Sequence, residues 1–322
     1  MLRRALGNHT LFRPLNRLAT LLIPLLSLLG ASAGGGDEFP IIDAHSQVDH
    51  RVDLERIIPL MDKGGISRVI LAARGKLKVN ELAALAARHP GRITAAVRTK
   101  GGIYRRNHPK YYRLLRKQLT MPEFAAMAEV MMWHAEKGNP LNPKAPEVVV
   151  PPDDQRVQVA LGAALERGWP FVAHIEFAAA GPDRSVFMRK FEALLGRHPD
   201  HPFALIHMGQ LEAKEVHRLI EAHANVYFLT SHANPIVVSR SRQPWVDLFD
   251  GESLAPEWKN LVTQHPDRFI LAFDNVWEYH WGSYYLDQIS LWRKALKELP
   301  HEAAHAVAHR NAERLWRLPA AR

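Results

Sequence analysis

Residues 171–208 read FVAHIEFAAAGPDRSVFMRKFEALLGRHPDHPFALIHM and contain the repeating unit that decides the fold of this chain. Two short apolar runs, FVAHIE (171–176) and FALIHM (203–208), flank a longer amphipathic stretch that ends at His198-Pro199. Because proline stops a helix, this order predicts a strand, a helix and a second strand. Two strands joined through a helix are typical of a parallel sheet covered by helices.

The same alternation recurs along the chain, with a short apolar run at eight places after Gly36. The runs are PIIDAH (40–45), RVILAAR (68–74), ITAAVRT (93–99), AEVMMWH (128–134), FVAHIE (171–176), FALIHM (203–208), NVYFLTS (225–231) and RFILAFD (268–274). Eight strand–helix units in about 280 residues match the size of a (β/α)8 barrel. The sequence therefore predicts an α/β fold, a (β/α)8 TIM barrel, with a doubly wound open sheet as the alternative.

Composition limits the chemistry that the protein can perform. The chain has 322 residues, 47% of them apolar, and no cysteine, which excludes disulfides, thiolate catalysis, iron–sulfur clusters and cysteine zinc sites. Any metal must therefore bind to histidine, carboxylate or amide oxygen. The net charge is +9, but residues 1–33 hold four arginines and no acid, so the remainder carries 38 bases against 33 acids.

The N-terminus has the layout of a secretory signal peptide. A basic segment precedes the apolar run ATLLIPLLSLL (19–29), and Ala31-Ser32-Ala33 provides small residues for cleavage. We predict a signal peptide over 1–33, cleavage after Ala33, and a periplasmic or secreted protein. The alternatives are a twin-arginine signal at Arg3-Arg4 and an N-terminal helix retained in the mature fold. An eleven-residue apolar run rises only about 16 Å as a helix, which argues against a stable membrane anchor.

The rest of the chain, 34–322, is predicted to be a single barrel domain. Five prolines between 138 and 152 indicate an insertion after the fourth strand.

Polar residues fall at the ends of the predicted strands, where a barrel enzyme places its chemistry. A histidine in an apolar strand needs a hydrogen-bond partner or a metal, and any one of them alone fits a satisfied core histidine. Three histidines at matching strand ends, together with an aspartate after the eighth strand, favour a metal site. The candidates are His45 and Gln47 on the first strand, Glu129 and His134 on the fourth, His174 on the fifth, His207 on the sixth and Asp274 on the eighth.

The stretches IIDAHSQ, PFVAHIE, HPFALIHMG and RFILAFDNVW are similar to the first-, fifth-, sixth- and eighth-strand motifs of the amidohydrolase superfamily. The resemblance is to its amidohydrolase-2 branch, which includes enzymes like aminocarboxymuconate-semialdehyde decarboxylase, and it runs from Pro40 to NAERLWRL (311–318). It implies a divalent metal bound by His45, His174 and Asp274. It also implies catalysis by Asp274, as proton acceptor, and by His207, as an acid/base or substrate contact.

One position departs from the family pattern, because the second histidine of the first-strand pair is Gln47. An amide oxygen is a weaker ligand than imidazole for a metal such as zinc. Three alternatives stay open: Gln47 binds the metal through oxygen, Glu129 completes the ligand set, or the metal has been lost. Glu129 also fits a buried acid paired with Arg98 or Lys100. Zinc is the expected cofactor, with manganese as the alternative.

These residues support three hypotheses for function. The first is an exported metal-dependent hydrolase in which a metal-activated water attacks an amide, ester or lactone of a small molecule. The second is a metal-dependent non-oxidative decarboxylase of a small carboxylic acid. The third, motivated by Gln47, is a barrel that binds ligand without catalysis.

The predicted substrate is small and either anionic or aromatic. Arg74, Arg98 and Lys100 follow the second and third strands, where they face the barrel mouth or else are solvated loop charges. Trp277 opens the aromatic run WEYHWGSYY (277–285), which either walls a ligand site or packs the last helix.

The basic run at 104–117 reads as a helix face beside the barrel, so no nucleic-acid partner is predicted. The sequence is compatible with a homo-oligomer.

Overall fold

A computed structural model describes residues 39–139 and 142–321. The predicted signal peptide and its cleavage site after Ala33 lie outside the described residues. The strands are β1 Ile41–Val48, β2 Ile66–Ala73, β3 Ile93–Val97, β4 Phe124–Met127, β5 Val130–His134, β6 Lys137–Asn139, β7 Asn142–Ala145, β8 Val148–Val149, β9 Phe171–Ile175, β10 Phe203–Leu205, β11 Val226–Leu229, β12 Phe249–Asp250, β13 Ser253–Leu254 and β14 Phe269–Ile270.

The helices alternate with these strands. They are α1 Ile57–Gly64, α2 Val79–Arg88, α3 Gly102–Arg105, α4 Pro109–Leu119, α5 Gln155–Arg167, α6 Arg184–Arg197, α7 Ala213–Ala222, α8 Pro235–Val238, α9 Pro256–Gln264, α10 Ser283–Lys297, α11 His301–His305 and α12 Asn311–Trp316, with a π-helical turn between the last two. None of the helices in the described part of the chain is long and apolar enough to cross a membrane.

The parallel strands close into a barrel. One sheet has the order β1-β2-β3-β4 and the other contains β14-β11-β10-β9-β5, and the chain passes directly from β4 to β5. On the other side, the amide of Ala44 in β1 donates to the Leu271 carbonyl at 3.0 Å and that of Asp274 donates to the His45 carbonyl at 2.7 Å. Each of the eight predicted runs contains a strand, which confirms the predicted (β/α)8 TIM barrel.

Several strand bounds differ from the predicted ones. The fourth strand begins at Phe124 rather than at 128, and it is interrupted at Ala128 and Glu129. The first strand continues past His45 to Val48, so His45 does not close it. The sixth and eighth strands end earlier than predicted, at Leu205 and Ile270: a left-handed stretch begins at His207, and the chain leaves regular pairing before Asp274.

The predicted insertion region, 138–152, lies between β5 and α5. It contains β7, which pairs antiparallel with β6, and β8, which pairs antiparallel with the end of β5. This segment therefore adds an antiparallel edge beside the fourth barrel strand.

A β-bulge in β1 aims the first-strand side chains. Residues Asp43 to Ser46 on β1 lie opposite only Val69 to Leu71 on β2, so β1 carries one extra residue there. Ile41 and Val48 consequently pack in the outer core beneath the helices, whereas Ile42 and Ala44 pack in the interior cluster of the barrel. Because the bulge reverses the alternation, His45 and Gln47 follow Ala44 into the barrel mouth instead of facing the helices.

Candidate active site

Four predicted residues meet at the barrel mouth and form what we call the carboxylate centre: His45, Gln47, Glu129 and Asp274. Gln47 Nε2 donates hydrogen bonds to Asp274 Oδ1 at 2.6 Å and to Glu129 Oε1 at 3.0 Å. His45 Nε2 lies 3.3 Å from Asp274 Oδ1 and 3.9 Å from Glu129 Oε1. All four side chains are buried, so the two carboxylates are held together out of water.

The backbone around this centre adopts conformations that L-residues rarely accept. Asp274 has φ of 50°, His207 of 53° and His232 of 62°, and the left-handed stretch continues from His207 through Gln210. Such conformations cost of order 1–3 kcal/mol each and persist where surrounding contacts enforce them, typically at functional sites. The strain therefore marks the loops after the sixth, seventh and eighth strands as the functional end of the barrel.

Two stacked histidines cover the outer oxygen of Asp274. The rings of His207 and His232 lie 4.3 Å apart and nearly parallel, and their Nε2 atoms are 3.7 and 3.4 Å from Asp274 Oδ2. Trp245 packs against both rings. Burial lowers the pKa of His232 to about 4 and that of His207 well below its usual value, so both rings are neutral at pH 7.

Asp274 is ionised in this setting. Burial opposes its ionisation, but interaction with the nearby imidazoles of His45, His232 and His207 holds its pKa well below the usual range. A buried, ionised carboxylate beside three imidazole rings can accept a proton or bind a cation.

His174 lies one step away from the carboxylate centre. Its Nδ1 is 2.5 Å from Glu129 Oε2, and its Nε2 is 2.8 Å from Glu176 Oε1. It forms a possible metal triad with Glu129 and His207, and another with His134 and Glu176. The predicted ligand set is thus split, because in the described part of the chain His174 shares a candidate ligand group with Glu129 and His207 but with neither His45 nor Asp274.

Four residues at the site are not among those predicted from the sequence: Glu176, Lys137, His232 and Trp245. Glu176 is two residues after His174, and the two-residue period of a strand would have placed both on one side. His232 directly follows the seventh predicted strand, which is also a readable signal. No sequence motif marks the other two residues: Lys137, at the start of β6, contacts Glu176 and lies 4.5 Å from the ring centre of Trp245, which is in a loop.

The basic side chains predicted for substrate binding have distinct positions. Lys100 contacts Glu129 Oε1, so the predicted pairing of Glu129 with Lys100 is present and that with Arg98 is not. Burial lowers the pKa of Lys100 to about 7, although Asp274 acts in the opposite direction. Arg74 pairs with Asp49 at 3.4 Å and its guanidinium lies 4.2 Å from the centre of the Trp277 ring.

The carboxylate centre opens into a cavity of about 830 Å³. Arg74, Lys100 and Trp277 line it as predicted, whereas Arg98 lines a neighbouring pocket. The aromatic run contributes both to the cavity lining and to the packing of the last long helix. The half-buried Trp277 and the exposed Tyr279 line the cavity, and the buried Tyr285 packs edge-on against Phe273.

A divalent metal fits the carboxylate centre. Ligands that bind one ion at 2.0–2.2 Å in a tetrahedron lie about 3.3–3.6 Å apart. The 3.3 Å separation of His45 Nε2 from Asp274 Oδ1 is in this range, and its 3.9 Å separation from Glu129 Oε1 is slightly longer. His45 Nε2 and Gln47 Oε1 are buried and make no hydrogen bond to any described residue. A cation among these atoms would satisfy them, with Gln47 binding through oxygen if its amide group rotates.

Comparison with known proteins agrees with this geometry. The family model described as amidohydrolase matches residues 30–318, so the chain belongs to the amidohydrolase family. No curated protein matches the chain.

Solved structures share the fold at low sequence identity. An uncharacterized TIM-barrel protein from Bordetella bronchiseptica is 16% identical, with a TM-score of 0.57 over 87% of this chain and 99% of that one. The 2,6-dihydroxybenzoate decarboxylase from Rhizobium is 15% identical, with a TM-score of 0.53 over 87% and 98%. A probable 2-pyrone-4,6-dicarboxylic acid hydrolase from Acinetobacter baumannii, crystallised with citric acid, is 11% identical, with a TM-score of 0.50 over 86% and 98%. The chain is therefore an enzyme of a family whose fold serves both hydrolases and decarboxylases.

Proposed function

We propose that this protein is an exported metal-dependent hydrolase that cleaves an amide, ester or lactone of a small anionic molecule. The observation that carries the proposal is the carboxylate centre itself, in which His45, Glu129 and Asp274 converge at metal-ligand spacing in a deep cavity. The cations and aromatic rings of the cavity wall suit an anionic organic substrate.

His45, Glu129 and Asp274 would hold the metal, with Gln47 adding an amide oxygen. When bound there, a divalent ion supplies Lewis-acid activation of water and of the substrate carbonyl. Zinc is the proposed ion because imidazole and carboxylate ligands suit it, with manganese as the alternative.

Asp274 is the proposed proton acceptor, since its low pKa keeps it ionised and its Oδ2 faces the cavity side of the centre. General base catalysis needs such a group within hydrogen-bond reach of the attacking water.

The partners of His207 suit it to a proton-transfer role. Its Nδ1 lies 3.0 Å from the Ser231 hydroxyl, which can donate, and 3.2 Å from the Ser231 carbonyl, which only accepts, so the partners of Nδ1 allow either tautomer. In the tautomer protonated at Nδ1, Nε2 has the free lone pair that could accept a proton and pass it to the leaving group. If His207 instead polarised the substrate carbonyl, it would need a proton on Nε2.

A second candidate is decarboxylation of an aromatic or enoic acid. The aromatic wall of Trp245, Trp277, Tyr279 and Tyr284 favours it, and the similar Rhizobium structure is a decarboxylase of an aromatic acid. For that reaction the site would bind the substrate carboxylate, and one of its side chains would supply the proton that the carbon takes up as carbon dioxide leaves.

Export, partners and localisation are also proposals. The pattern of residues 1–33 supports export to the periplasm or medium, and the modest charge of the remainder supports a small-molecule partner rather than nucleic acid. N-terminal sequencing of protein from the native host should begin at Gly34; a chain that still begins at Met1 would overturn the export proposal.

Metal analysis combined with a substrate panel tests the reaction. We expect about one tightly held divalent ion per chain and turnover of lactones, esters or amides that carry a carboxylate. Release of carbon dioxide from an acid panel without hydrolysis would replace the first candidate by the second. Failure to bind metal after supplementation, with no turnover, would refute both and leave a ligand-binding barrel.

A further inference from the structure

We propose that a second pocket beside the carboxylate centre, which we call the arginine pocket, binds a carboxylate of the substrate remote from the reacting carbon. This inference rests on the proposed function and specifies its substrate class as a small organic diacid or its monoester, monoamide or lactone. The pocket has a volume of about 310 Å³, and its cationic residues are Arg74, Arg98, Lys100 and Arg105.

The arginine pocket adjoins the main cavity. Arg74, Lys100 and His134 line both cavities, so these three side chains form the boundary between them. A substrate that reacts at the carboxylate centre and places its remote carboxylate in the arginine pocket would pass these three side chains.

Two of the four cationic residues of the pocket have carboxylate partners. Arg74 is paired with Asp49, and Lys100 with Glu129. Arg98 is only partly exposed, yet within residues 39–139 and 142–321 it has no carboxylate partner. Its guanidinium donates to the Gly75 carbonyl at 3.0 Å and, more weakly, to the Lys100 carbonyl at 3.4 Å.

No described acidic residue lines the arginine pocket, which contrasts with the two carboxylates of the main cavity. An incompletely paired guanidinium in a concave, positively charged site is suited to bidentate binding of a carboxylate.

The backbone fixes Arg98 in place before a ligand arrives. The buried Gln118 accepts from the Arg98 amide at 2.8 Å and donates to the Arg98 carbonyl at 3.3 Å. Gly101 has φ of +106°, and a Cβ there would lie 2.9 Å from Arg98 Nη2. Glycine is thus required both for the turn and for the position of the guanidinium, and preorganisation of this kind favours affinity.

The remaining wall is apolar. Met131, Pro146 and Val148 also line the pocket. Such a wall suits a short hydrocarbon segment between the reacting group and the remote carboxylate. Together, the charges and the wall select a molecule with an acyl group at one end and a carboxylate at the other.

Binding of simple acids to the full-length protein tests this inference without turnover. Isothermal titration calorimetry would compare glutarate and adipate with butyrate and pentanoate. We expect at least one diacid to bind about 10-fold or more tightly than the monoacid of similar length, as for an added charge-assisted ion pair. Equal affinity for monoacids and diacids would refute the proposal that the arginine pocket binds a second carboxylate.

Three variants locate the effect. Arg98→Ala should abolish the diacid preference, while Arg98→Lys should keep part of it, because ammonium is a point charge without the bidentate geometry. Arg116→Ala, an exposed charge on α4, is the matched control and should leave the preference unchanged. A preference that survives Arg98→Ala would contradict the proposal.

Asp274→Asn separates this inference from the proposed function. We expect this variant to lose turnover and yet retain a diacid preference that depends on Arg98. That result would support both the proposed hydrolase and the arginine pocket. If the wild-type protein hydrolyses no panel substrate but its diacid preference depends on Arg98, the proposed hydrolase is refuted and the arginine pocket is supported. If the protein hydrolyses diacid monoesters and Arg98→Ala does not change the rate, the proposed role of the arginine pocket is refuted and the proposed hydrolase is supported.

Discussion

Asp43 ties the first and last barrel strands together, and its removal gives the sharpest test of how the site is held. Its Oδ1 accepts from the amides of His45 and Phe273 at 3.2 and 3.1 Å, and its Oδ2 accepts from Ser46 Oγ at 2.6 Å and Tyr285 Oη at 2.8 Å. The side chain is fully buried, and burial raises its pKa to about 6 although the four hydrogen bonds act in the opposite direction.

The cost of each substitution follows from the donors that it leaves unpaired. Asp43→Ala leaves four buried donors without an acceptor, and at about 1–3 kcal/mol each the loss is at least about 4 kcal/mol. That is a large share of the 5–15 kcal/mol, roughly, that stabilises a folded domain. Asp43→Asn keeps an oxygen for the two amides but presents an NH2 group to the two hydroxyls, so we expect about 2–3 kcal/mol. Tyr285→Phe removes one hydrogen bond and should cost about 1–2 kcal/mol.

Urea unfolding followed by circular dichroism measures this series, with an unchanged m-value as the check that only stability differs. Asp287→Ala is the control, because Asp287 is exposed on the same helix as Tyr285 and should change stability by less than about 0.5 kcal/mol. If Asp43→Ala unfolds at the urea midpoint of the wild type, the carboxylate does not join the two strands as described.

The remaining predictions concern metal, catalysis and pH. Gln47→His should tighten metal binding by about 10-fold or more in a chelator competition, because imidazole is the stronger ligand; unchanged affinity would mean that residue 47 does not reach the ion. His45→Ala should remove most of the metal, whereas His207→Ala should keep it and lower turnover by about 10²-fold or more, as seen by metal analysis and steady-state kinetics; equal metal loss in both would contradict the separate role of His207. Burial lowers the pKa of His280 to about 3, and its Nδ1 accepts from the Val276 amide at 2.9 Å, so it must stay neutral. The folded pKa of His280 lies below the unfolded value of about 6.5, so its contribution to the free energy of unfolding is complete above that pH and falls by roughly 2 kcal/mol at pH 5. In urea titrations, the stability of His280→Asn should therefore depend less on pH than that of the wild type. Parallel pH curves for the two proteins would refute this.

Local sequence was sufficient for most of the site. The residues predicted at strand ends, His45, His174, His207 and Asp274, all lie at the barrel mouth, because parallel strands in a closed barrel present the same ends to one face. Glu129 was found through its place on the fourth strand. The ion pair that it makes with Lys100 was only one of two options, since a sequence gives no distance between neighbouring loops.

What the sequence determined by itself was the strand–helix repeat, and hence the barrel, because the alternation of apolar runs and helix-ending prolines is a local property. Only the tertiary structure decided how the centre is assembled. The β1 bulge turns His45 and Gln47 inward, and barrel closure then places Gln47 between Glu129 and Asp274. These contacts join residues 82 and 227 positions apart, and their geometry depends on strand register and loop conformation, which no local pattern specifies.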